Sequence, residues 1–395
     1  MTTSSEVFLP TSVRVIQIQE MEENLLLIPG PTNLSRRVRN AMAGPQLPHV
    51  GSRFYSTFKE IVSLARYVFM NGKAPQFVFT GSGMIGMESS VVSLVSRGDR
   101  TLTLSTGYFG RRMLLLNQVH GAKADVLEYK DGAHADPDDL RKELRRNKYK
   151  AVFMTHVDTS TSVANPVREL VEECVEADVF SIVDGVCSIG GMPLDFDRLG
   201  ADIAFTASQK ALAGAPGAVL LAASDRALDY MAKRERPIES YYMNLLRWKS
   251  VMEDPRMYLA TPATQVLLGL KEALLEVKEE TLEKRWARHR RLGDLTRNQV
   301  DRWGFRFVAD EGFRADTVTS FWVKDGTAGD IQKMLEDKHK VVVARGIYEA
   351  KDTMIRIGHF GILTPNRLAS ALHSMNEVLD DLGMGKRRLP TAVHS

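Results

Sequence analysis

Ile203-Ala204-Phe205, leading into Ser208-Gln209-Lys210 and then Gly214-Ala215-Pro216-Gly217, is the stretch that decides the fold. A short apolar strand that runs out into a lysine puts the amine at a strand end, where open α/β sheets gather their chemistry. Partial removal from water favours the neutral, nucleophilic form of such an amine. Working back 26 residues, Ile182-Val183-Asp184 repeats the pattern with an acid in place of the lysine. An amine for a Schiff base and a carboxylate for a pyridinium nitrogen are the two groups that pyridoxal 5'-phosphate (PLP) most needs. A solvated lysine and a helix-capping acid would give the same letters, so the surrounding chain must decide.

On either side, apolar runs of strand length alternate with helical periodicity. Strands are expected at 25–28, 76–80, 101–105, 124–128, 150–155, 178–183, 202–206 and 218–222. Helices are expected over 55–70, from Met84 to Val95, and near 109–119, 137–147, 166–176 and 264–278. Such alternation predicts an α/β fold, a mostly parallel central sheet flanked by helices. After residue 280 the pattern changes. A basic helix over Glu283–Arg291 is followed by strand-like Phe305–Val308 and Val318–Val323, a helix near 328–338, then Val341–Val343, Met354–Ile357 and a last helix over 366–382. These form a smaller C-terminal α+β domain. The expected division is an N-terminal arm at 1–24, a large domain at 25–280 and a small domain at 281–395, with a loose tail from Lys386.

Composition narrows the class. The chain has 395 residues with 52 basic and 49 acidic side chains, a formal net charge of +3, which makes no case for nucleic acid or an anionic membrane as partner. The basic helix has acids beside it and reads as a solvated face. Cys174 and Cys187 are the only cysteines and lack metal-site spacing, so neither a disulfide framework nor structural zinc is expected. Met1–Glu6 has no basic region leading into an apolar stretch, and no run is long enough to span a bilayer, so a cytoplasmic protein is expected.

Several strand ends carry candidate chemistry. Gly81-Ser82-Gly83-Met84-Ile85-Gly86 matches GxGxxG between a strand and a helix, and Asp99 lies 18 residues beyond Gly81. Backbone N–H groups at such a helix N-terminus suit a phosphate. The same letters suit an NAD-dependent oxidoreductase, with Asp99 on the ribose, and a plain turn. In Thr106-Gly107-Tyr108-Phe109-Gly110, an aromatic side chain between glycines can stack on a flat ring or simply plug the core. Thr155-His156-Val157-Asp158-Thr159-Ser160-Thr161 is a polar cluster suited to lining a ligand; no GxSxG elbow supports a serine hydrolase, and His156 reads as a satisfied structural histidine. Pro29-Gly30-Pro31 ends the first strand in a rigid turn that could wall a ligand. Arg356, inside an apolar strand, needs a partner, either an acid of the chain or the carboxylate of a substrate.

Taken together, these stretches resemble the class V, fold-type I PLP-dependent aminotransferases of the alanine–glyoxylate and serine–pyruvate branch. The similarity runs from Leu27-Ile28-Pro29-Gly30-Pro31-Thr32-Asn33 to Ile355-Arg356-Ile357-Gly358. Its most specific pieces are Val183-Asp184 with Ser188-Ile189-Gly190-Gly191, Ser208-Gln209-Lys210-Ala211-Leu212 with Pro216-Gly217, and Pro255-Arg256-Met257-Tyr258 with Thr261-Pro262.

The resemblance implies a transamination between small amino acids and 2-oxo acids, with alanine or serine as donor and glyoxylate or pyruvate as acceptor. It makes Lys210 the Schiff-base lysine and the base for the α-proton, and Asp184 the partner of the pyridine nitrogen. Phe109 falls where this branch often stacks a tryptophan, and Thr159 where a hydroxyl bonds the phenolic oxygen. Ser82, Gly83 and Gln209 would hold the phosphate, with Tyr258 and Thr261 reaching it from the second subunit of a homodimer. Arg356 would take the substrate carboxylate beside Gly30. Three departures bear on substrate preference: Met84 in place of a histidine beside the phosphate, Val157-Asp158 in place of Gly-Glu or Asn-Glu, and Ser162 in place of glycine.

Overall fold

A computed structural model describes residues 23–130 and 132–384. The expected arm, apart from Glu23 and Asn24, and the tail from Lys386 lie outside the described residues. The strands in chain order are β1 (Leu25–Leu26), β2 (Gln76–Thr80), β3 (Arg100–Ser105), β4 (Lys123–Glu128), β5 (Ala151–Thr155), β6 (Val157–Asp158), β7 (Val163–Ala164), β8 (Phe180–Asp184), β9 (Ile203–Ala207), β10 (Ala218–Ala223), β11 (Val318–Trp322), β12 (Val341–Val342), β13 (Ala344–Arg345) and β14 (Met354–Gly358). Seven of them form the main sheet, in the order β2-β10-β9-β8-β5-β3-β4. Only β10 runs against the rest, pairing antiparallel with both β2 and β9. The other six therefore share one direction, and their C-terminal ends lie along one edge.

Period-two alternation explains the two cores. Val78, Leu102, Leu104, Val152, Met154, Val183 and Leu220 face one side. They pack there against α2 (Ser52–Phe69) and against Leu267, Leu270 and Leu274 of a later helix, on which α1 (Arg36–Ala43) lies in turn. Phe77, Phe79, Phe153, Ile182, Ile203, Phe205 and Leu221 face the other side, against α3 (Met84–Leu94) and α4 (Tyr108–Val119). Strands buried on both faces read as continuous apolar runs, which is why the sequence located them well.

The helices continue as α5 (Pro137–Arg146), α6 (Val167–Glu176), α7 (Phe196–Leu199), α8 (Asp225–Lys233), α9 (Leu245–Glu253), α10 (Thr264–Glu280), α11 (Leu282–Trp303), α12 (Ala328–His339) and α13 (Pro365–Asp381). Sequence reading gave no elements between 223 and 263, where α8 and α9 cover the second face.

A third core, with Leu292, Val300, Phe321, Ile355, Ile357 and Val378, surrounds the antiparallel sheet β11-β14-β13. Leu27 belongs to this core, because β1 pairs in parallel with β12, Leu25 opposite Val341. The Leu27 N–H donates to Val342 O at 2.8 Å, and its carbonyl accepts from Gly358 N–H at 2.7 Å.

Two expectations are corrected. Phe305–Val308 is not a strand; only Phe307 makes a single bridge, to Phe321, because the chain leaves α11 through the left-handed Gly304 and touches the sheet once. The basic stretch Glu283–Arg291 is helical but is not simply a solvated face. Arg285 is buried, donating to Ala211 O and pairing with Glu280 at 2.6 Å. His289 is buried too, with Nδ1 3.1 Å from Gly191 O. Helix α11 thus braces the loop that follows Lys210. Among the described residues, no helix is long and apolar enough to cross a membrane.

Candidate active site

The C-terminal ends of the parallel strands converge on a cleft of about 220 Å³. Its walls are strand ends and the elements that follow them. The loop after β2 brings Ser82 and Gly83, and the start of α3 Met84; α4 brings Phe109; the turn after β6 brings Thr159; β8 ends in Asp184; the loop after β9 brings Gln209 and Lys210. All eight of these candidates meet at one place. A larger groove, lined by Met70, Pro193 and Trp286, gathers none of them.

Lys210 packs directly on the Pro29-Gly30 turn, which lies behind the cleft lining, and donates to Pro29 O. Gly30 has φ +87°, and a Cβ there would stand 2.5 Å from Lys210 Cδ. Only glycine leaves that stem its room. Burial pushes the Lys210 amine below its ordinary range, and Arg356 acts the same way more weakly, while Cys187 and Asp184 oppose the shift. Asp184 is buried and pushed up to about 7 by desolvation; the N–H of Val186 (2.9 Å), Lys210 and Arg112 pull it back. A cation brought against Asp184 would restore its charge.

Phe109 is fixed by a carboxylate not counted among the site candidates. Asp158 is wholly buried, and its Oδ2 accepts from the N–H of Phe109 (3.0 Å) and Gly110 (3.3 Å). Its Oδ1 accepts from Ser160 N–H (2.9 Å) and Oγ (2.5 Å). This acid therefore caps α4, where the helix dipole favours it. Gly107 leaves room for this cap, since a Cβ at 107 would lie 2.5 Å from Ser160 Oγ and 2.6 Å from Asp158 Cγ. Ser162 adopts φ +61°, and its Oγ accepts from Ser320 N–H at 3.0 Å.

Arg356 lies in β14. Its Nε donates to Arg345 O at 2.8 Å and its Nη1 to Thr159 O at 3.0 Å. It takes part in none of the ion pairs among the described residues, so the reading of a structural ion pair fails. Burial lowers its pKa below the usual guanidinium range. The bond to Thr159 ties it to the cleft wall.

Other expectations fare differently. Tyr258 and Thr261 do not line the cleft of their own chain; Tyr258 is exposed, and its Oη lies 2.8 Å from Thr261 Oγ1. His156 is buried and desolvation holds it neutral, down to about 4, but Nδ1 has no partner, so it is not the satisfied histidine expected. The dinucleotide alternative fails on geometry. Asp99 precedes β3, at the opposite end of the sheet from the Gly81–Gly86 loop, and its carboxylate accepts from Ser96 N–H at 2.8 Å. Sequence reading missed Met87, Arg112, Val157 and Val186 as cleft walls.

These residues fit PLP. Helix α3 starts at the cleft with no side-chain cap and no acid in its first turn; the N–H groups of Ile85 and Gly86 go to Ser82 O and Gly83 O, which leaves those ahead of them for an anion. Gln209 lines the same cleft, and its side-chain NH2 is a donor suited to a phosphate oxygen. Phe109 offers a ring face, Asp184 a carboxylate and Lys210 an amine.

Comparison with known proteins agrees. The family model for class-V aminotransferases matches residues 35–363. The chain is 32% identical over 363 residues to an uncharacterized aminotransferase of Methanocaldococcus jannaschii, covering 91% of this chain and 94% of that protein. It is 33% identical over 362 residues to alanine–glyoxylate aminotransferase 1 of Saccharomyces cerevisiae, covering 87% and 93%. Among solved structures, ureidoglycine–glyoxylate aminotransferase of Bacillus subtilis superposes with a TM-score of 0.88 at 26% identity, covering 93% and 95%.

Proposed function

The chain belongs to the class-V aminotransferases, and on that footing we propose that it uses PLP to move an amino group from a small L-amino acid, alanine or serine, to glyoxylate or pyruvate. The observation that carries this reading is the convergence of Lys210, Asp184, Phe109 and the open N-terminus of α3 on one cleft, with Arg356 bonded to its wall. Bound PLP supplies an electrophilic carbonyl for the amino group and a ring that takes up the electron pair left at the substrate Cα.

The protein's own groups do the rest. Asp184, a carboxylate out of water, favours a proton on the nitrogen that faces it. Phe109, held by Asp158 through its own N–H, covers the ring face. Ser82, Gly83 and Gln209 hold the phosphate, and Thr159 the phenolic oxygen. Burial shifts the Lys210 amine towards its neutral form, in which it would take the α-proton of the donor. The Arg356 fork takes the substrate carboxylate and fixes which Cα bond faces the amine.

A homodimer with shared sites accounts for Tyr258 and Thr261, which are exposed and bonded to each other outside their own cleft. The yeast and Bacillus relatives share glyoxylate in their names while naming different donors. Glyoxylate is therefore the better supported acceptor, and the donor rests on the small cleft.

The test is an absorbance spectrum of purified protein before and after L-alanine or L-serine. A visible band that bleaches, and that returns with glyoxylate, is the expected result. No band after PLP is supplied would overturn the cofactor; a band that bleaches with neither amino acid would overturn the donor.

A further inference from the structure

The residues assigned above to the cofactor phosphate share one property: Ser82, Gly83, Gln209, Tyr258 and Thr261 are all uncharged. A phosphate monoester carries about −1.5 to −2 charges near pH 7, and a helix N-terminus offers roughly half a positive charge. Lys210 is committed to the amino-group chemistry. The site as read from sequence lacks its counter-ion, and the structure contains one.

Arg112 sits one turn beyond Phe109 on α4, on the face turned to α3. Its guanidinium carbon lies 4.5 Å from the centroid of the Tyr108 ring and 5.1 Å from that of Phe109. Nη2 donates to Tyr108 Oη at 2.5 Å, and Nη1 stands 3.7 Å from the sulfur of Met84, the first residue of α3. A phenol and a thioether are neutral partners. Arg112 takes part in none of the ion pairs among the described residues, although it carries five donors and lines the cleft. Aromatic stacking holds the plane of the fork in advance, so little side-chain freedom remains to be lost on binding. Its charge is felt by Asp184 across the cleft, but the two form no ion pair, and a half-buried guanidinium left in that state keeps donors for an anion from outside the chain.

We propose that Arg112 is the cation of the anion-binding end of the cleft, and that its ligand is the phosphate monoester dianion of the cofactor. The proposal rests on the PLP reading above. Two observations place the anion at α3 rather than on the substrate. Arg112 touches Met84, where the uncapped helix begins, and lines the same cleft as Ser82, Gly83 and Gln209. Arg356, the substrate clamp, is held instead by Thr159 and Arg345, with which Arg112 makes no hydrogen bond among the described residues. Met84 contributes no donor of its own, and the arginine beside it supplies both charge and donors.

The experiment compares PLP with pyridoxal, which keeps the ring and aldehyde but lacks the phosphate. Full-length apoprotein is titrated with each, followed by absorbance and tryptophan fluorescence. For Arg112→Gln, PLP affinity should fall about 10- to 100-fold, the range of a lost charge-assisted hydrogen bond, while pyridoxal affinity changes less than about 3-fold. Arg112→Lys, which keeps the charge, should recover most of the loss. Equal losses for both ligands would overturn the proposal, because Arg112 would then act only by packing on Phe109. Unchanged PLP affinity with a raised KM for a dicarboxylic substrate would also overturn it and move Arg112 to substrate binding. Should Arg112→Gln fail to fold, Arg112→Met is read the same way, since its side chain packs against Met84 without charge. Wild-type protein that binds no PLP would overturn the cofactor reading itself, a result distinct from failure of Arg112 alone.

Discussion

Gly30 faces the stem of Lys210 so closely that a Cβ at position 30 would stand 2.5 Å from Lys210 Cδ and 2.9 Å from Gln209 O. The backbone there has φ +87°, which side chains other than glycine rarely adopt. Gly30→Ala should therefore displace the lysine and strain the turn together. Stability should fall by about 1–3 kcal/mol, and kcat by on the order of 100-fold. Wild-type turnover in a variant of lowered melting temperature would show that the room left by Gly30 serves folding alone.

Lys210→Ala removes the amine and leaves the cleft walls in place. Turnover should vanish. Borohydride should fix PLP covalently on the Lys210 peptide of the wild type and on no peptide of the variant. A labelled peptide elsewhere would reassign the lysine.

Asp184 gives a pH-dependent signature in the apoprotein. Its folded-state pKa is raised, from 3.8 to about 7, so the carboxyl costs no stability below pH 3.8. The cost grows as pH rises towards 7 and is complete above it. Asp184→Asn, whose oxygen can still accept from Val186 N–H, lacks this dependence. The apo variant should match wild type near pH 4 and exceed it at pH 8 by on the order of 1–4 kcal/mol, read from melting curves. Its transamination should be lost at every pH. Parallel melting profiles across pH would contradict the buried-charge account.

Arg356→Ala should raise KM for both amino and oxo acid by about 10- to 100-fold, with PLP affinity unchanged. Arg356→Lys should restore little, because a point charge cannot keep the bonds to Arg345 O and Thr159 O while also gripping a carboxylate. A KM effect no larger than that of substituting the exposed, distant Arg168 would reassign the clamp.

Asp158→Asn keeps the shape of the α4 cap but exchanges one acceptor oxygen for an NH2 group. Either orientation sets that group against N–H donors of Phe109 and Gly110 or of Ser160. Stability should fall by about 1–3 kcal/mol. The fluorescence and dichroism of bound PLP should change as Phe109 loosens, and Asp158→Glu should not restore them in a space closed by Gly107.

What the sequence made legible followed from burial. Strands covered on both faces stand out as apolar runs, and a lone lysine or acid at the end of such a run, as at Lys210 and Asp184, has few places to go but the strand-end cleft. The glycine-rich loop at 81–86 was ambiguous because phosphate chemistry is common to several folds; the position of Asp99 at the far end of the sheet resolved it. Arg112 was hidden in an Arg-Arg pair that looks solvated, although its spacing of three from Phe109 places both on one helix face. The same period was present in the basic helix, where Leu282, Arg285, His289, Leu292, Thr296 and Val300 form one buried stripe. Reading charge before period concealed it. The roles of Tyr258 and Thr261 are not legible in one chain, whose own cleft they do not line.

The pairing of Leu25–Leu26 with Val341–Val342 sets the timing of biosynthesis. The strand that carries Pro29 and Gly30 to the cleft emerges from the ribosome early and must wait more than 300 residues for its hydrogen-bonding partner. The seven strands of the main sheet are all translated by residue 223, so that sheet can assemble while synthesis continues. Its open strand ends then face water without the turn that packs on Lys210, and the nascent chain carries an unfinished cleft until β12 appears. A message truncated between the end of β10 and β12 would thus yield a polypeptide with all seven strands of the main sheet and no working centre, a product for quality control to clear.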